Sequence, residues 1–519
     1  MKILIIGGYG VFGGRLAVLL ADIETLEILV GGRSLERVQA FCAAYRGAAV
    51  VRPLEVDRDR IAEVLASEHP DLVVDASGPF QHYAGNCYGV VEACIDTGVN
   101  YLDFADSSDF VHGIAAFDAR AKAAGIFVLS GVCRFPGLTA AVLRRLSQTM
   151  EIVSVTGGIA PSPYAGIGMN VMRAVLGYAG TPVTLFRNGV ESEAMALVET
   201  MRFTIAVPGK LPLRNIRFSL VDVPDLREIP PEYPALRDIW MGAGPVPEFL
   251  HRLLNLLAWT RATFGLPSCT PLAGPFHRVM TVMRYGEHRG GMFVHVQGRR
   301  DGEPAALTWN LVAEGDDGPY IPSMAIEALV RKIVDGERPA DGARSAIRAL
   351  ELDDYERLFE NRAIYAGFRE PAQPGAPPYR QVLGPALDDL PAPIRAIHDT
   401  TRQRSWRGRA RVRRGSGLVA GIIGRLIGFP AASDDVEVSV VMAPERGGER
   451  WTRRFGDRQF SSFQWPGAGK NECLMMERFG IVTVALALVV EDGRLHLVPR
   501  RWSCLGVPLP AFLLPRGNS

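Results

Sequence analysis

The chain has 519 residues, of which 48% are hydrophobic and 22% are charged, and its formal net charge is +1. The length predicts two to four domains, and the composition is that of ordinary globular proteins. The near-zero charge excludes a whole-protein field that attracts nucleic acid, and seven cysteines without a Cys-x-x-Cys pair argue against a disulfide framework or a zinc site.

Short apolar strands alternate with amphipathic helices over residues 1–150, and this rhythm predicts β-α-β units and a parallel sheet. The predicted strands are Lys2–Ile6, Glu27–Val30, Val50–Pro53, Leu72–Asp75, Tyr101–Phe104 and Ile126–Leu129. The predicted helices are Phe12–Ala21, Leu35–Ala44, Arg58–Ser67, Gly85–Thr97 and Phe110–Ala124.

Strand-like stretches dominate residues 151–314 and predict a second, α+β domain with a mixed, mostly antiparallel sheet. The predicted strands are Ile152–Gly157, Met201–Val207, Ile216–Asp222, Val279–Tyr285, Met292–Gly298 and Ala306–Ala313. The helix Glu248–Thr263 interrupts them. A further helix, Ser323–Asp335, lies in a segment, 315–360, that can return to the first domain.

The proline-rich stretch "REPAQPGAPPYR" predicts a linker at 369–380, because proline disfavours both helix interiors and central strands. Residues 381–519 are predicted to form a β-rich C-terminal domain. Its predicted strands are Val436–Met442, Val482–Val490 and Leu495–Pro499.

A glycine-rich turn, "GGYGVFGG", follows the first strand and opens the first helix. Gly8, Gly10 and Gly13 form the pattern G-x-G-x-x-G, which in this context is typical of a Rossmann-like, doubly wound dinucleotide-binding domain. The helix that begins at Val11 and Phe12 offers free N–H groups to phosphates. The alternative is a tight strand-to-helix turn without a ligand.

The end of the second strand reads "GGRS", where NAD-binding domains usually carry an acidic residue. Arg33, Ser34 and Arg37 can bind a 2′-phosphate there, because a guanidinium pairs with phosphate and a carboxylate would repel it. The sequence therefore predicts NADP(H) as the cofactor. The alternative is that Arg33 is a solvated loop residue.

A second small-residue turn, "DASGPF", ends the fourth strand at the edge where doubly wound sheets bind ligands. Ser77, Gly78 and Pro79 are predicted to flank the nicotinamide. Asp57, after the third strand, completes the predicted cofactor-binding set.

These stretches resemble the saccharopine dehydrogenase-like (saccharopine reductase) family over about residues 1–360. The resemblance rests on "GGYGVFG", "GGRS", "DASGPFQHYAGNCYGVVEACIDTGVNYLDFAD" and "CRFPG". It implies hydride transfer between NADPH and a C=N or C–N bond of an amino-acid-derived or related small substrate. Residues 380–519 are similar to an appended domain of unknown function, which implies no activity.

Three residues in the family-like segments are candidate catalytic groups. Asp103 ends the strand "YLDF" and can hold a cationic amine, and Tyr83 can donate a proton. Cys87 is the third candidate. The alternatives are a capping role for Asp103, packing for Tyr83, and a core position for Cys87, as for Cys94.

The remaining features concern partners. The histidines give no metal pattern, so no metal is predicted. Arg407, Arg409, Arg411 and Arg413 form a basic row that can bind a phosphate, a nucleic acid or an acidic lipid surface. The alternative is a solvated strand face or one paired with the acidic N-terminal part, and no specific nucleic-acid partner is expected. The apolar stretches "GLVAGIIGRLIGFP" and "VPEFLHRLLNLLAWTRATFGLP" are either interior helices or membrane-contacting ones.

The sequence therefore predicts a cytoplasmic NADP-dependent oxidoreductase that acts on CH–NH donors and a small-molecule substrate. One alternative is a catalytically silent NADP-binding sensor or scaffold. Another is a lipid-associated or membrane-associated reductase. A homodimer and a peripheral membrane contact both stay open.

Overall fold

A computed structural model describes residues 1–81, 85–166, 168–245, 247–282, 286–413 and 429–510. By internal contacts the chain divides into two compact units. The first comprises Met1–Arg202 and Ile216–Ala366, and the second comprises Phe203–Asn215 and Gly367–Ser519.

The N-terminal sheet is parallel and has the strand order β15-β6-β5-β4-β1-β2-β3. Its strands are β1 Lys2–Ile6, β2 Glu27–Gly32, β3 Val50–Glu55, β4 Leu72–Asp75, β5 Asn100–Asp103, β6 Phe127–Ser130 and β15 Gly342–Ser345. The order of the first six strands is that of a dinucleotide-binding sheet. The predicted Rossmann-like fold is confirmed.

Seven helices connect and cover these strands. They are α1 Val11–Leu19, α2 Leu35–Ala44, α3 Ile61–Glu68, α4 Gly89–Thr97, α5 Ser108–Gly113, α6 Asp118–Ala123 and α7 Thr139–Ser147. The core beneath them is built from the apolar runs of the strands, with Leu4, Leu29 and Val73 at or near zero exposure. Because helices cover the central strands, β1, β2 and β4 read as nearly continuous apolar runs in the sequence.

A later segment returns to this domain. Helix α12 (Ile321–Val334) packs against α1, where the Ser323 hydroxyl donates to the Phe12 carbonyl at 3.2 Å. Arg331 in the same helix pairs with Asp22 at 2.8 Å. Strand β15 then adds to the sheet edge beside β6, and Ala343 joins the core.

The second sheet is mixed, as predicted, with β7 parallel to β12 and antiparallel to β13. Its order is β10-β11-β12-β7-β13-β14-β16. The strands are β7 Glu151–Ala160, β10 Thr200–Ile205, β11 Leu213–Leu220, β12 Asp238–Ala243, β13 Arg289–Arg300, β14 Glu303–Glu314 and β16 Ile364–Arg369, and a separate hairpin joins β8 Pro182–Arg187 to β9 Val190–Met195.

The helices of this part of the chain are α8 Met169–Tyr178, α9 Asp225–Glu228, α10 Glu248–Phe264 and α11 Ala273–Val282. Helix α13 (Leu352–Phe359) instead packs against α7 and α12 of the first domain. The predicted strand Val279–Tyr285 is wrong, because residues 279–282 belong to α11 and residues 283–285 lie outside the described part. Phe276 and Met280 share one face of α11 at helical spacing, which explains the apolar content of this stretch.

The second unit contains an eight-stranded antiparallel sheet in the order β17 to β24, so the predicted β-rich domain is confirmed. Its strands are β17 Arg404–Val412, β18 Ser433–Glu445, β19 Gly448–Phe455, β20 Arg458–Pro466, β21 Met475–Phe479, β22 Val482–Glu491, β23 Arg494–Cys504 and β24 Val507–Leu509, and its helices are α14 Pro378–Leu383 and α15 Ala392–His398. Helix α14 starts inside the stretch predicted as a linker, and Tyr379 is buried with its hydroxyl donating to Gln464 at 3.0 Å.

Two of the four arginines in the basic row are paired on the exposed strand β17. Arg409 bonds Asp435 at 2.6 Å, and Arg411 approaches Asp434 at 3.4 Å. Residues 417–428 of "GLVAGIIGRLIGFP" lie outside the described residues. Within the described residues, none of the helices combines the length and hydropathy that a bilayer crossing requires.

Candidate active site

The glycine-rich turn is held by its own backbone. The amides of Gly7 and Gly8 donate to the Gly31 carbonyl at 2.9 and 3.0 Å, and the Gly10 amide donates to the Gly7 carbonyl at 2.8 Å. A Cβ at Gly13 would lie 2.5 Å from the Gly7 oxygen, so only glycine lets α1 start this close to the strand. The first turn of α1 has no side-chain cap, which leaves its N–H groups for an anion.

The end of β2 places the residues predicted to recognise the 2′-phosphate. Ser34 caps α2, and its hydroxyl accepts from the Arg37 amide at 3.5 Å. Arg33 is exposed, and Arg37 lines the cleft beside the glycine turn. Gly32 leaves room for the ring of Tyr9, which a Cβ there would approach to 2.2 Å.

The end of β4 is fixed by a buried carboxylate. Asp75 is fully buried and accepts from the Ser77 amide at 2.9 Å and the Ser77 hydroxyl at 2.6 Å. Arg58 pairs with its other oxygen at 3.0 Å. Gly78 and Pro79 follow and line the cleft. Asp57 caps the short turn 58–60 by accepting from the Asp59 amide at 3.1 Å.

Two adjoining cavities lie at this edge of the sheet. The cleft, of about 400 Å³, is lined by the glycine turn, Arg37, Gly78 and Pro79. The chamber, of about 200 Å³, is lined mainly by apolar side chains from the second sheet and from α8, α10 and α11. The two cavities share five lining residues, namely Phe12, Phe104, Asp106, Val171 and Ala174.

Ionisable side chains surround the junction of the cleft and the chamber. Asp106 accepts from the Gln81 amide at 3.0 Å, and burial raises the pKa of Asp106 despite this bond. Burial, followed by the charges of Asp109 and Asp106, raises the pKa of Asp222 to about 7. Burial also raises the pKa of Tyr178 and lowers that of Arg134. Such shifts are common where proteins handle protons or charged intermediates.

A neutral histidine lines the chamber away from the cleft. His251 is 2% exposed, and burial lowers its pKa to about 4. Its Nε2 lies 2.6 Å from the Ser219 hydroxyl, which also accepts from the Asn255 amide at 2.8 Å. The buried Ser219 hydroxyl thus contacts both His251 and Asn255, and the tautomer of the ring sets the direction of the bond to Nε2. Among the described residues Nδ1 has no hydrogen-bond partner.

The three residues predicted to be catalytic lie elsewhere or cannot be placed. Asp103 is fully buried, and its Oδ1 accepts from the amides of Ala105 and Gly131 at 2.9 and 2.7 Å, which ties the ends of β5 and β6 together. Cys87 lies in the turn before α4, and its carbonyl accepts from Arg58 at 3.4 Å. Neither lines the cleft or the chamber as described. Tyr83 lies outside the described residues.

The sequence interpretation did not assign Asp106, Tyr178, Asp222 or His251 to the site. They come from the loop after β5, from α8, from the loop after β11 and from α10, and only the fold brings them to one chamber. The sequence position of Asp106 indicates a candidate site residue, because Asp106 follows a strand of the parallel sheet at its carboxyl end, where such sheets bind ligands.

Two family models match parts of the chain. Residues 3–129 match the saccharopine dehydrogenase NADP binding domain, in agreement with the predicted cofactor NADP(H). Residues 390–519 match a domain of unknown function, DUF4166. The glycine cradle at Gly13 fits this cofactor. Among curated proteins there is no match.

Several solved dehydrogenase structures resemble the chain at low identity. The amine dehydrogenase from Mycobacterium smegmatis is 12% identical, with 67% of this chain and 95% of that chain covered and a TM-score of 0.34. The DAP dehydrogenase of C. glutamicum in complex with DAP is 13% identical, with 69% of this chain and 98% of that chain covered and a TM-score of 0.32. An engineered D-amino acid dehydrogenase bound to NADP+ is 13% identical, with 69% of this chain and 98% of that chain covered and a TM-score of 0.33.

Proposed function

We propose that the chain is an NADP-dependent oxidoreductase that transfers hydride to or from the carbon of a C=N or C–N bond in a small substrate. One observation carries this proposal. The cleft beside the glycine turn adjoins a second chamber, and the two share lining residues, among them Phe12, Phe104 and Asp106. A substrate in the chamber would therefore lie beside the nicotinamide end of the cleft.

The cofactor-binding roles follow from the positions of the residues. The amides at the start of α1, behind Gly8, Gly10 and Gly13, would hold the pyrophosphate. Arg33, Ser34 and Arg37 would hold the 2′-phosphate. Gly78 and Pro79 would flank the nicotinamide. When bound, NADPH supplies the hydride, and the chain supplies orientation and proton handling.

The carboxyl groups at the junction suit a reacting nitrogen. A carboxylate at Asp106 stabilises positive charge on an iminium or a protonated amine. Asp222, with a pKa of about 7, can release or accept a proton near neutrality. In the reductive direction the carbon receives hydride and the nitrogen receives the Asp222 proton, so C=N becomes CH–NH.

The test is turnover of NADPH by purified full-length protein on mixtures of amines and carbonyl compounds that form imines. We expect Asp222→Asn to lower kcat by ~10²-fold while NADPH binding stays unchanged. The control Asp96→Asn changes an exposed carboxylate that pairs with Arg120, and it should leave both properties unchanged. Equal turnover in wild type and Asp222→Asn would contradict the assignment. Tight NADPH binding without turnover on any substrate would favour the sensor or scaffold alternative.

A second candidate, a reductase that works on a lipid surface, is favoured by the outer face of α10. Phe249, Leu253 and Leu256 follow at helical spacing and are 51%, 44% and 54% exposed. The opposite side of the same helix lines the apolar chamber through Leu250 and Leu254. A single helix thus separates the chamber from an exposed apolar face, and we propose that this face rests on a lipid bilayer.

Vesicles of phosphatidylcholine and phosphatidylglycerol test this candidate by co-sedimentation. Replacing Phe249, Leu253 and Leu256 by serine should abolish sedimentation, whereas replacing the arginines of the basic row by glutamine should weaken it less. Loss of binding only in the basic-row variant would make β17 the docking surface and contradict the assignment. A wild-type dimer that dissociates in the triple serine variant would also contradict the assignment, because a second copy of the chain would then cover the outer face of α10.

A further inference from the structure

The chamber is an apolar space with few polar groups in its wall. Val175 of α8, Val223 after β11, Leu254 of α10 and Phe276 and Met280 of α11 contribute side chains to it. Its volume of about 200 Å³ exceeds that of an engineered apolar cavity of ~150 Å³ that binds benzene. Transfer of a hydrocarbon group into such a space is favourable, because the apolar surfaces of both the ligand and the wall are removed from water.

The charged groups of the wall are confined to the end near the cofactor cleft. Apart from His251, the acidic and basic residues described as lining the chamber are Asp106, Arg134 and Asp222. Asp106 borders the cleft itself, and its charge acts on Asp222. The deeper part, near Leu254, Phe276 and Met280, offers no partner for a second carboxylate or ammonium among the described residues. An unpaired charge there would carry a large desolvation cost.

His251 is the ionisable residue of the wall outside this group. Burial lowers its pKa to about 4, so the ring is neutral near pH 7, and its Nε2 lies 2.6 Å from the Ser219 hydroxyl. A neutral ring adds no charge to the wall that could pair with a second carboxylate of a ligand.

We infer that the substrate is a largely hydrocarbon amine or imine whose reacting nitrogen lies at the Asp106 end and whose body fills the chamber. This inference rests on the proposed function for the reaction, but binding to the chamber can be measured without it. It separates this chain from enzymes whose substrates carry several carboxylates, because such substrates would leave charges unpaired in the apolar wall.

The test uses N-phenyl-naphthylamine, an uncharged aromatic amine whose fluorescence rises in apolar sites, and the full-length protein. We expect saturable binding that decylamine displaces and that lysine and glutamate do not. Val175→Trp fills the chamber and should weaken probe binding about tenfold or more. Arg173→Trp adds the same ring at an exposed position of the same helix and should leave binding unchanged.

The outcomes separate this inference from the proposed function. NADPH affinity, measured by calorimetry, should be the same in wild type and both variants. Intact NADPH binding without probe binding, or equal probe binding in the two tryptophan variants, would overturn the inference and leave the proposed reaction standing. Absence of NADPH binding to the wild-type protein would instead overturn the proposed reaction. Should Val175→Trp fail to fold, displacement by decylamine but not by lysine in the wild type remains decisive.

Discussion

Adding one methyl group at Gly13 should weaken NADPH binding, because it displaces the glycine turn. The new Cβ would lie 2.5 Å from the Gly7 oxygen, 0.9 Å inside ordinary contact at 3.4 Å, and 2.9 Å from the Gly8 Cα. Both neighbours are backbone atoms of the turn, so the turn itself must move. Overpacking of this kind costs ~1–3 kcal/mol. If the strain falls on the bound geometry, NADPH affinity drops about 5- to 150-fold.

The matched control is Gly14→Ala, one residue further along the same helix. Its Cβ would meet the ring of Phe41 at 3.3 Å, a side chain that can give way, and alanine favours the helix by up to ~1 kcal/mol. Titration calorimetry with NADPH measures both variants, and thermal unfolding reports their stability. Wild-type affinity in Gly13→Ala, or an equal loss in Gly14→Ala, would refute the steric reasoning.

Three further predictions concern charge. Arg33→Asp should lower the ratio of NADPH to NADH affinity about tenfold or more, because an anion replaces the predicted partner of the 2′-phosphate. The control is Arg46→Asp, which makes the same change at an exposed loop position. An unchanged ratio in Arg33→Asp, or the same fall in Arg46→Asp, would contradict the assignment. Arg58→Ala should lower the free energy of unfolding by ~3–5 kcal/mol in urea titrations, because it leaves the buried Asp75 carboxylate without its cation, and adding Asp75→Asn should restore part of the loss. Burial lowers the pKa of His251 in the folded state to about 4, below its unfolded value of 6.5, so unfolding takes up a proton between pH 4 and 6.5. The free energy of unfolding of the wild type should therefore fall as the pH is lowered through this range. His251→Gln should flatten this part of the stability profile, and an unchanged slope would count against burial of the neutral ring.

The parallel sheet could be predicted closely because its strands β1, β2, β4, β5 and β6 are almost entirely buried. Such strands appear as apolar runs that end in small or turn-forming residues, as at Ile6 before Gly7. The hairpin of β8 and β9 was missed although it carries a strong signal. Asn188 and Gly189, both with positive φ, form the turn that an Asn-Gly pair predicts. Strand β15 has four residues and no pattern, and only its position beside β6 defines it.

Local propensity misled the interpretation at two places. The stretch containing Val279 and Val282 is rich in β-branched residues, but the helical spacing of Phe276 and Met280 toward the chamber decides its structure. Pro378 suggested a linker, yet proline is tolerated in the first turn of a helix, where its missing N–H is not needed. The chamber could not be predicted because no sequence spacing links residues on α8, α10 and the loop after β11.

The edge strand β15 has a consequence for biosynthesis. The nucleotide-binding sheet cannot be completed when its own six consecutive strands have left the ribosome, because Gly342–Ser345 emerges about two hundred residues after β6. Throughout that interval the nascent chain presents an unpaired β6 edge, which is a template for wrong pairing with other chains. Translation of the middle of this protein is therefore the period in which this edge is exposed to such pairing.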